Sequence, residues 1–150
     1  MRQWYERAFG DLTTAQLYDI LKARVDVFVV EQECAYPEID GKDERSIHLF
    51  VQDSDGTAAY ARLVPAGIGY AEPSIGRVLV RKSLRGTGLG REVMRRAVEL
   101  MDEQGEPVIT IQAQNYAKAF YESFGFEAVS EVYLEDDIPH VDMKRFHPEG

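Results

Sequence analysis

Val78-Leu79-Val80-Arg81-Lys82-Ser83-Leu84-Arg85-Gly86-Thr87-Gly88-Leu89-Gly90 is the stretch that decides the fold. Ile75 to Val80 is rich in β-branched residues and reads as a strand. After the glycines, Val93, Met94, Ala97, Leu100 and Met101 share one face of a helix predicted from about Leu89 to Gln104, with Gly105 as its stop. A strand, then Gly86, Gly88 and Gly90, then a helix is the order in which proteins cradle phosphate. Glycines let backbone N–H groups approach an anion, and the helix N-terminus adds partial positive charge. Arg81, Lys82, Arg85, Arg91, Arg95 and Arg96 crowd this region against one acid, Glu92. From charge alone a solvated helix face is the favoured reading of these cations, ahead of an anion site. A Walker A loop is excluded, because Gly90 is followed by Arg91-Glu92 and not by Lys-Ser/Thr. A dinucleotide loop fits poorly: the third glycine comes one residue early, and no acidic residue stands about twenty positions on at a strand end.

Outward from this loop the chain alternates strands and helices. Gln3 to Phe9 reads as a strand. Thr13 to Gln16 has capping-box spacing, and Leu17, Ile20, Leu21, Val25 and Phe28 recur at helical intervals. Glu31 to Glu44 has no clear period, contains Pro37 and Gly41, and reads as a long loop of the kind that is often functional. Ser46–Gln52 and Thr57–Val64 read as strands joined at Asp53-Ser54-Asp55-Gly56, a hairpin turn and not a calcium loop, since the later ligands and closing Glu are missing. Val108 to Ala113 is a near-continuous apolar run, Tyr116 to Phe124 a short helix, and Val129–Leu134 and Val141–Arg145 two last strands around the acidic knot Glu135-Asp136-Asp137. This order implies an α+β or α/β chain with one mixed sheet.

The chain has 150 residues, 45% hydrophobic and 29% charged, which suits one globular domain over residues 1–150. No apolar run approaches the ~20 residues of a membrane span. Residues 1–7 show no apolar leader core, so no signal peptide is expected. One cysteine, Cys34, excludes an internal disulfide and fits a reducing, cytoplasmic setting. The net charge of −9 argues against a nucleic-acid partner.

Arg85-Gly86-Thr87-Gly88-Leu89-Gly90 after Val78-Leu79-Val80 resembles the acyl-CoA-binding motif of the GNAT superfamily of N-acetyltransferases, Arg/Gln-x-x-Gly-x-Gly/Ala, filled here by Arg85, Gly88 and Gly90. The second family block resembles Gln114-Asn115-Tyr116-Ala117-Lys118-Ala119-Phe120-Tyr121-Glu122-Ser123-Phe124-Gly125-Phe126. Arg24 to Gln32, with Asp40-Gly41-Lys42-Asp43 and Ile138-Pro139-His140, is similar to the narrower ElaA-like subgroup. The resemblance implies an α+β, α/β/α-layered fold: one mixed, mostly antiparallel sheet flanked by helices, with the acyl-CoA loop after the fourth strand. It implies acetyl-CoA as acyl donor, a small-molecule or peptide amine as acceptor, no metal, direct attack through a tetrahedral intermediate, and a monomer or homodimer.

Carried over residue by residue, the resemblance implies that the Val78 N–H polarises the thioester carbonyl, that Val80 pairs with pantetheine beside Leu79, and that Arg85, Gly86, Thr87, Gly88, Leu89 and Gly90 hold the pyrophosphate. Tyr121 is the implied general acid. The family's amide, an Asn seven residues before that Tyr, is here Gln114, with Asn115 shifted by one; either could bond the pantetheine arm. His140, before the final strand, is a candidate base, with Glu31 and Glu38 of the acidic loop as others. His48, between Ile47 and Leu49, suits a structural histidine. Arg24, Arg62 and Arg77 interrupt apolar stretches and suit internal ion pairs, for instance with Glu31 or Asp26; alternatively the three hold a carboxylate on the acceptor, with Arg24, Arg77 and Glu31 as the substrate-binding candidates. Two acidic segments bordering the acceptor would attract a cationic amine. The alternatives are a non-catalytic acyl-CoA-binding or sensor module and a phosphate-binding protein that shares only the glycine loop.

Overall fold

A computed structural model describes residues 3–148; Met1 and Arg2, the start of the segment read above for a leader, lie outside the described residues. In chain order the main elements are β1 (Gln3–Ala8), α1 (Thr14–Val25), β2 (Ile47–Asp53), β3 (Gly56–Val64), β4 (Ser74–Val80), α2 (Leu89–Glu103), β5 (Val108–Gln114), α3 (Lys118–Glu122), β6 (Glu127–Ala128), β7 (Tyr133–Glu135) and β8 (Ile138–Phe146). One eight-stranded sheet runs β1-β2-β3-β4-β5-β8-β6, and β7 also pairs with β8. All pairings are antiparallel except β4 with β5. The order of elements implies one mixed sheet, and the family resemblance a mostly antiparallel α+β one; both are found.

Each face of the sheet has its own apolar layer. Leu89, Val93, Met94, Ala97, Val98 and Met101 of α2 pack into the larger core with Leu49, Ala61, Ile109, Ile111 and Met143. Ile20 of α1 packs on the other face against Phe50, Tyr60 and Leu79. Alternation along a strand sends neighbouring side chains to opposite faces, so β4 serves both cores. The Thr13–Gln16 capping box starts α1 as the sequence predicts, each side chain bonding the other's backbone N–H at 3.0 Å.

Local differences from the sequence reading have physical causes. The first helix passes into a π turn over Asp26–Glu31, an expansion of the kind found at functional sites, which carries Glu31 to the sheet's open edge. The predicted Tyr116–Phe124 helix splits into a 3-10 turn over Asn115–Ala117 and α3. The predicted Val129–Leu134 strand is instead β6 and β7, and β7 turns into β8 through Asp136 and Asp137, which both have positive φ (51° and 63°). Such a two-residue turn matches the twist of a hairpin, and aspartate tolerates the left-handed region better than most residues.

Candidate acyl-transfer site

β4 and β5 are joined by one residue pair, Ser74↔Thr110, beside the bond from the Thr110 N–H to the Pro73 carbonyl at 3.0 Å. Beyond this point the two parallel strands separate. The gap is a cavity of about 700 Å³, within the range of small-molecule sites. Its walls are β4 from Ile75 to Val80, β5 at Ile111, Gln112 and Gln114, and α3 at Phe120 and Tyr121; Arg85 and Gly90 stand at its mouth.

The edge of β4 that faces this gap carries main-chain polar groups. The Arg81 N–H bonds the Ala58 carbonyl at 2.8 Å, so residue 81 faces β3. Backbone direction alternates along a strand, which turns Val80 and Val78 toward β5. The Val80 carbonyl accordingly accepts from Arg85 Nε at 3.0 Å. Between Arg62↔Gly76 and Tyr60↔Leu79 the register slips by one residue. That slip is a β-bulge in which Arg77 and Val78 oppose Ala61, with Arg77 at φ +53°.

The glycine loop fits an anion. Gly86 and Gly88 have φ of +82° and +87°, and a Cβ at either would meet nothing within 4 Å. Gly88 caps α2, whose first N–H groups have no intrahelical partner. Gly90 packs against β4: a Cβ there would lie 3.4 Å from Val80 Cγ2, in van der Waals contact. Thr87 Oγ1 donates to the Leu84 carbonyl at 2.6 Å and braces the loop, while the Leu89 side chain is buried in the core.

Tyr121 lines the cavity with its ring packed edge-on against Phe120 and Phe126. Burial, with nearby Tyr116, pushes its phenol up to about 12, so it is protonated at neutral pH. His140, paired with Gln114 across β8 and β5, also lines the cavity. Its Nδ1 lies 2.7 Å from the Ile138 carbonyl, and its ring stacks on Tyr133. A carbonyl can only accept, so Nδ1 is the donor in this contact, and in the neutral ring the lone pair is then on Nε2. Gln114 lines the cavity and donates to Gln32 Oε1 at 3.2 Å; Asn115 is exposed in the 3-10 turn and does not line it.

Residues 31–34 strap the gap. Glu31 accepts two bonds from Arg85, at 2.6 and 2.9 Å, Gln32 meets Gln114, and Cys34 Sγ lies 4.0 Å from the Asp136 carbonyl. Arg85 holds the Glu31 carboxyl below its ordinary value. The Cys34 thiol is pushed up by desolvation and by the carboxylates of Asp136 and Asp137, which leaves it a poor nucleophile.

The three arginines correct part of the sequence reading. Their partners are Glu38, Asp40 and Asp43, not Glu31 or Asp26; Asp26 pairs with Lys22 on the surface. Arg24 is 0% exposed, bonded to Glu38 and Asp43, and does not reach the cavity, so it cannot touch an acceptor. Arg62 is buried on Asp40 and Asp43. Arg77 lines the cavity, with its charge met by Glu38 and Asp40. The acidic loop is therefore largely neutralised, and the expected acidic rim reduces to Glu135 and Asp136 beside His140. His48 is buried between the Tyr60 hydroxyl at 2.6 Å and the Asp43 carbonyl at 2.9 Å, a structural position. The sequence reading missed Tyr36, which lines the cavity and bonds Glu38; an aromatic inside the acidic loop was its one visible signal.

The Acetyltransferase (GNAT) domain family matches residues 15–146. The chain belongs to the GNAT acetyltransferase family. Its relatives include protein ElaA of Escherichia coli, 38% identical over 148 residues and 97% of each chain. A UPF0039 protein of Schizosaccharomyces pombe is 42% identical over 139 residues, 91% of each chain. The crystal structure of an acyl-CoA N-acyltransferase from Pseudomonas aeruginosa superposes with a TM-score of 0.91 at 39% identity, over 97% of this chain and 99% of that one. That of Escherichia coli ElaA does so at 0.90 and 37% identity, over 97% and 99%. GNAT membership supports acyl transfer from an acyl-CoA and makes the open edge of β4, beside a glycine loop, the place to seek it. No helix of the described residues is long and apolar enough to cross a membrane, and no group of three or more His, Cys, Asp or Glu among them is disposed to hold a metal ion.

Proposed function

We propose that this chain is a single-domain, cytoplasmic N-acetyltransferase that moves the acetyl group of acetyl-CoA to a primary amine of a small molecule or peptide. The observation that carries this reading is the convergence of the open β4 edge, Arg85 and Gly90 of the glycine loop, Tyr121 and His140 on one cavity.

Gly86 and Gly88, with the N-terminus of α2, take the pyrophosphate, and Arg85 adds its charge. Val80 and Gln114 orient the pantetheine arm. The Val78 N–H faces the thioester carbonyl and stabilises negative charge as it develops, an oxyanion-hole role. His140 Nε2 receives the proton that the amine must lose as its nitrogen bonds the acyl carbon. As the carbon–sulfur bond breaks, the Tyr121 hydroxyl delivers a proton to the thiolate. A phenol near 12 is a weak acid, but a freshly formed thiolate in a desolvated cavity is a strong base. Glu135 and Asp136 favour a cationic acceptor at the wall that holds His140.

The test is calorimetric binding of acetyl-CoA, alone and against ATP, followed by CoA release with a panel of amines, polyamines and peptides. Tight acetyl-CoA binding, indifference to ATP and amine-dependent CoA release are expected. Binding without release for any amine would leave an acyl-CoA sensor; displacement by ATP would leave a phosphate-binding protein.

A further inference from the structure

Arg77 stands one residue before Val78, inside the β4 bulge, with the left-handed φ of +53°. L side chains rarely adopt this conformation, and a backbone held there needs surroundings that over-determine it. Those surroundings are present. Arg77 Nε donates to Glu38 Oε2 at 2.7 Å, Nη2 lies 3.3 Å from Asp40 Oδ2, and the guanidinium sits 5.7 Å from the Tyr36 ring centre. The two carboxylates are themselves fixed from behind. Glu38 is buried against Arg24 of α1 at 2.7 Å, and the Tyr36 hydroxyl donates to it at 2.5 Å. Arg62 of β3 grips Asp40 through two bonds of 2.8 Å. Buried ion pairs of this kind add little stability over well-packed apolar residues, but their directional bonds impose one geometry.

We propose that Arg77 is a positioning residue for acyl transfer: its guanidinium, tethered to Glu38 and Asp40, holds the β4 bulge left-handed and so aims the Val78 N–H into the cavity. The proposal rests on the reading that this N–H meets the donor carbonyl. It gives the three-arginine cluster a task, the transmission of the rigidity of α1 and β3 to the one stretch of β4 that departs from regular strand geometry. It also replaces acceptor recognition as the role of Arg77, because both of its carboxylate partners belong to the chain.

The test uses the full chain and acetyl-CoA isotope-labelled at the carbonyl carbon. Infrared difference spectra report the hydrogen bond on the bound carbonyl, calorimetry reports affinity, and CoA release with the best amine of the panel reports kcat and KM. Arg77→Ala is expected to shift the carbonyl band toward that of free donor and to lower kcat roughly tenfold or more, since losing an oxyanion donor outright costs ~10²–10³. The acetyl-CoA Kd should stay within about twofold, because the phosphate loop is untouched. Arg77→Gly should recover part of both losses, since glycine takes positive φ freely. If Arg77→Ala does not fold, Arg77→Lys carries the test: it keeps the charge but not the two-pronged geometry, and the same shift in band and kcat is expected. An unchanged band and kcat in the folded variant, or a rise confined to the acceptor KM, overturns the positioning role. A wild-type band that does not move when donor binds overturns instead the assignment of the Val78 N–H on which the role depends.

Discussion

Glu31→Gln should tighten acetyl-CoA binding. In the free protein the Glu31 carboxylate occupies both prongs of Arg85, the cation of the glycine loop, at 2.6 and 2.9 Å. A phosphate arriving at that loop must either take Arg85 away from Glu31 or sit beside a carboxylate of like charge; both oppose binding. The two side chains are 39% and 35% exposed, so the pair belongs to the solvent-screened class. Such pairs contribute ~0.2–1 kcal/mol, and bidentate geometry places this one toward the upper end. At 1.4 kcal/mol per tenfold, loss of the pair should lower the acetyl-CoA Kd by about threefold to fivefold. Calorimetry of wild type, Glu31→Gln, Arg85→Gln and the double variant measures the effect and its coupling. Arg85→Gln should weaken binding, and Glu31→Gln should gain less in its presence, because only the screened like-charge repulsion is then left to relieve. The gain should shrink as salt rises, because exposed charges are screened beyond about 8 Å at physiological ionic strength. A Glu31→Gln variant that binds acetyl-CoA no more tightly at low salt, or that gains as much affinity in the Arg85→Gln background as in the wild-type one, would refute the idea that Glu31 competes with the donor for Arg85.

Gly88→Glu should abolish acetyl-CoA binding in a chain that still folds, because it forces a Cβ and like charge into the φ +87° position at the mouth of the phosphate cradle; unchanged affinity by calorimetry would remove the donor from this loop. Tyr121→Phe should slow single turnover by ~10²–10⁴-fold while sparing donor affinity, the usual cost of losing a general acid; wild-type rates would leave Tyr121 a packing residue. Burial depresses the pKa of His48, so the folded chain keeps it neutral while the unfolded chain protonates it below about 6.5. Stability should therefore fall as pH drops below that value, by at most ~1.4 kcal/mol per pH unit, and urea midpoints of His48→Gln should lack this slope. Burial works to raise Asp40 and Asp43, but bonds from Arg62 and Arg24 overcome it and hold both carboxyls below their ordinary values. Their contribution is present above about pH 4 and is lost as pH falls through the lowered values, which should steepen acid unfolding there.

What could be read in the primary structure was governed by neighbours within a few residues. The capping box at Thr13, the apolar face of α2 and its stop at Gly105 are set by local sterics and hydrogen bonds. So is the glycine loop, whose positive φ values at Gly86 and Gly88 favour residues without a Cβ. Two separated motifs in the right order then pointed to the GNAT family. The cavity itself was not readable, because it exists only where β4 and β5 part after Ser74↔Thr110, and no single strand encodes its separation from another. Gln114 and Asn115 looked interchangeable until the end of β5 put Gln114 on the cavity wall and Asn115 in the exposed turn that follows. The partners of Arg24, Arg62 and Arg77 were open for the same reason. The acidic loop offers many carboxylates with similar chemistry. Which of them meets which guanidinium depends on the path of that loop across α1, β3 and β4, and so on packing between segments up to 39 residues apart.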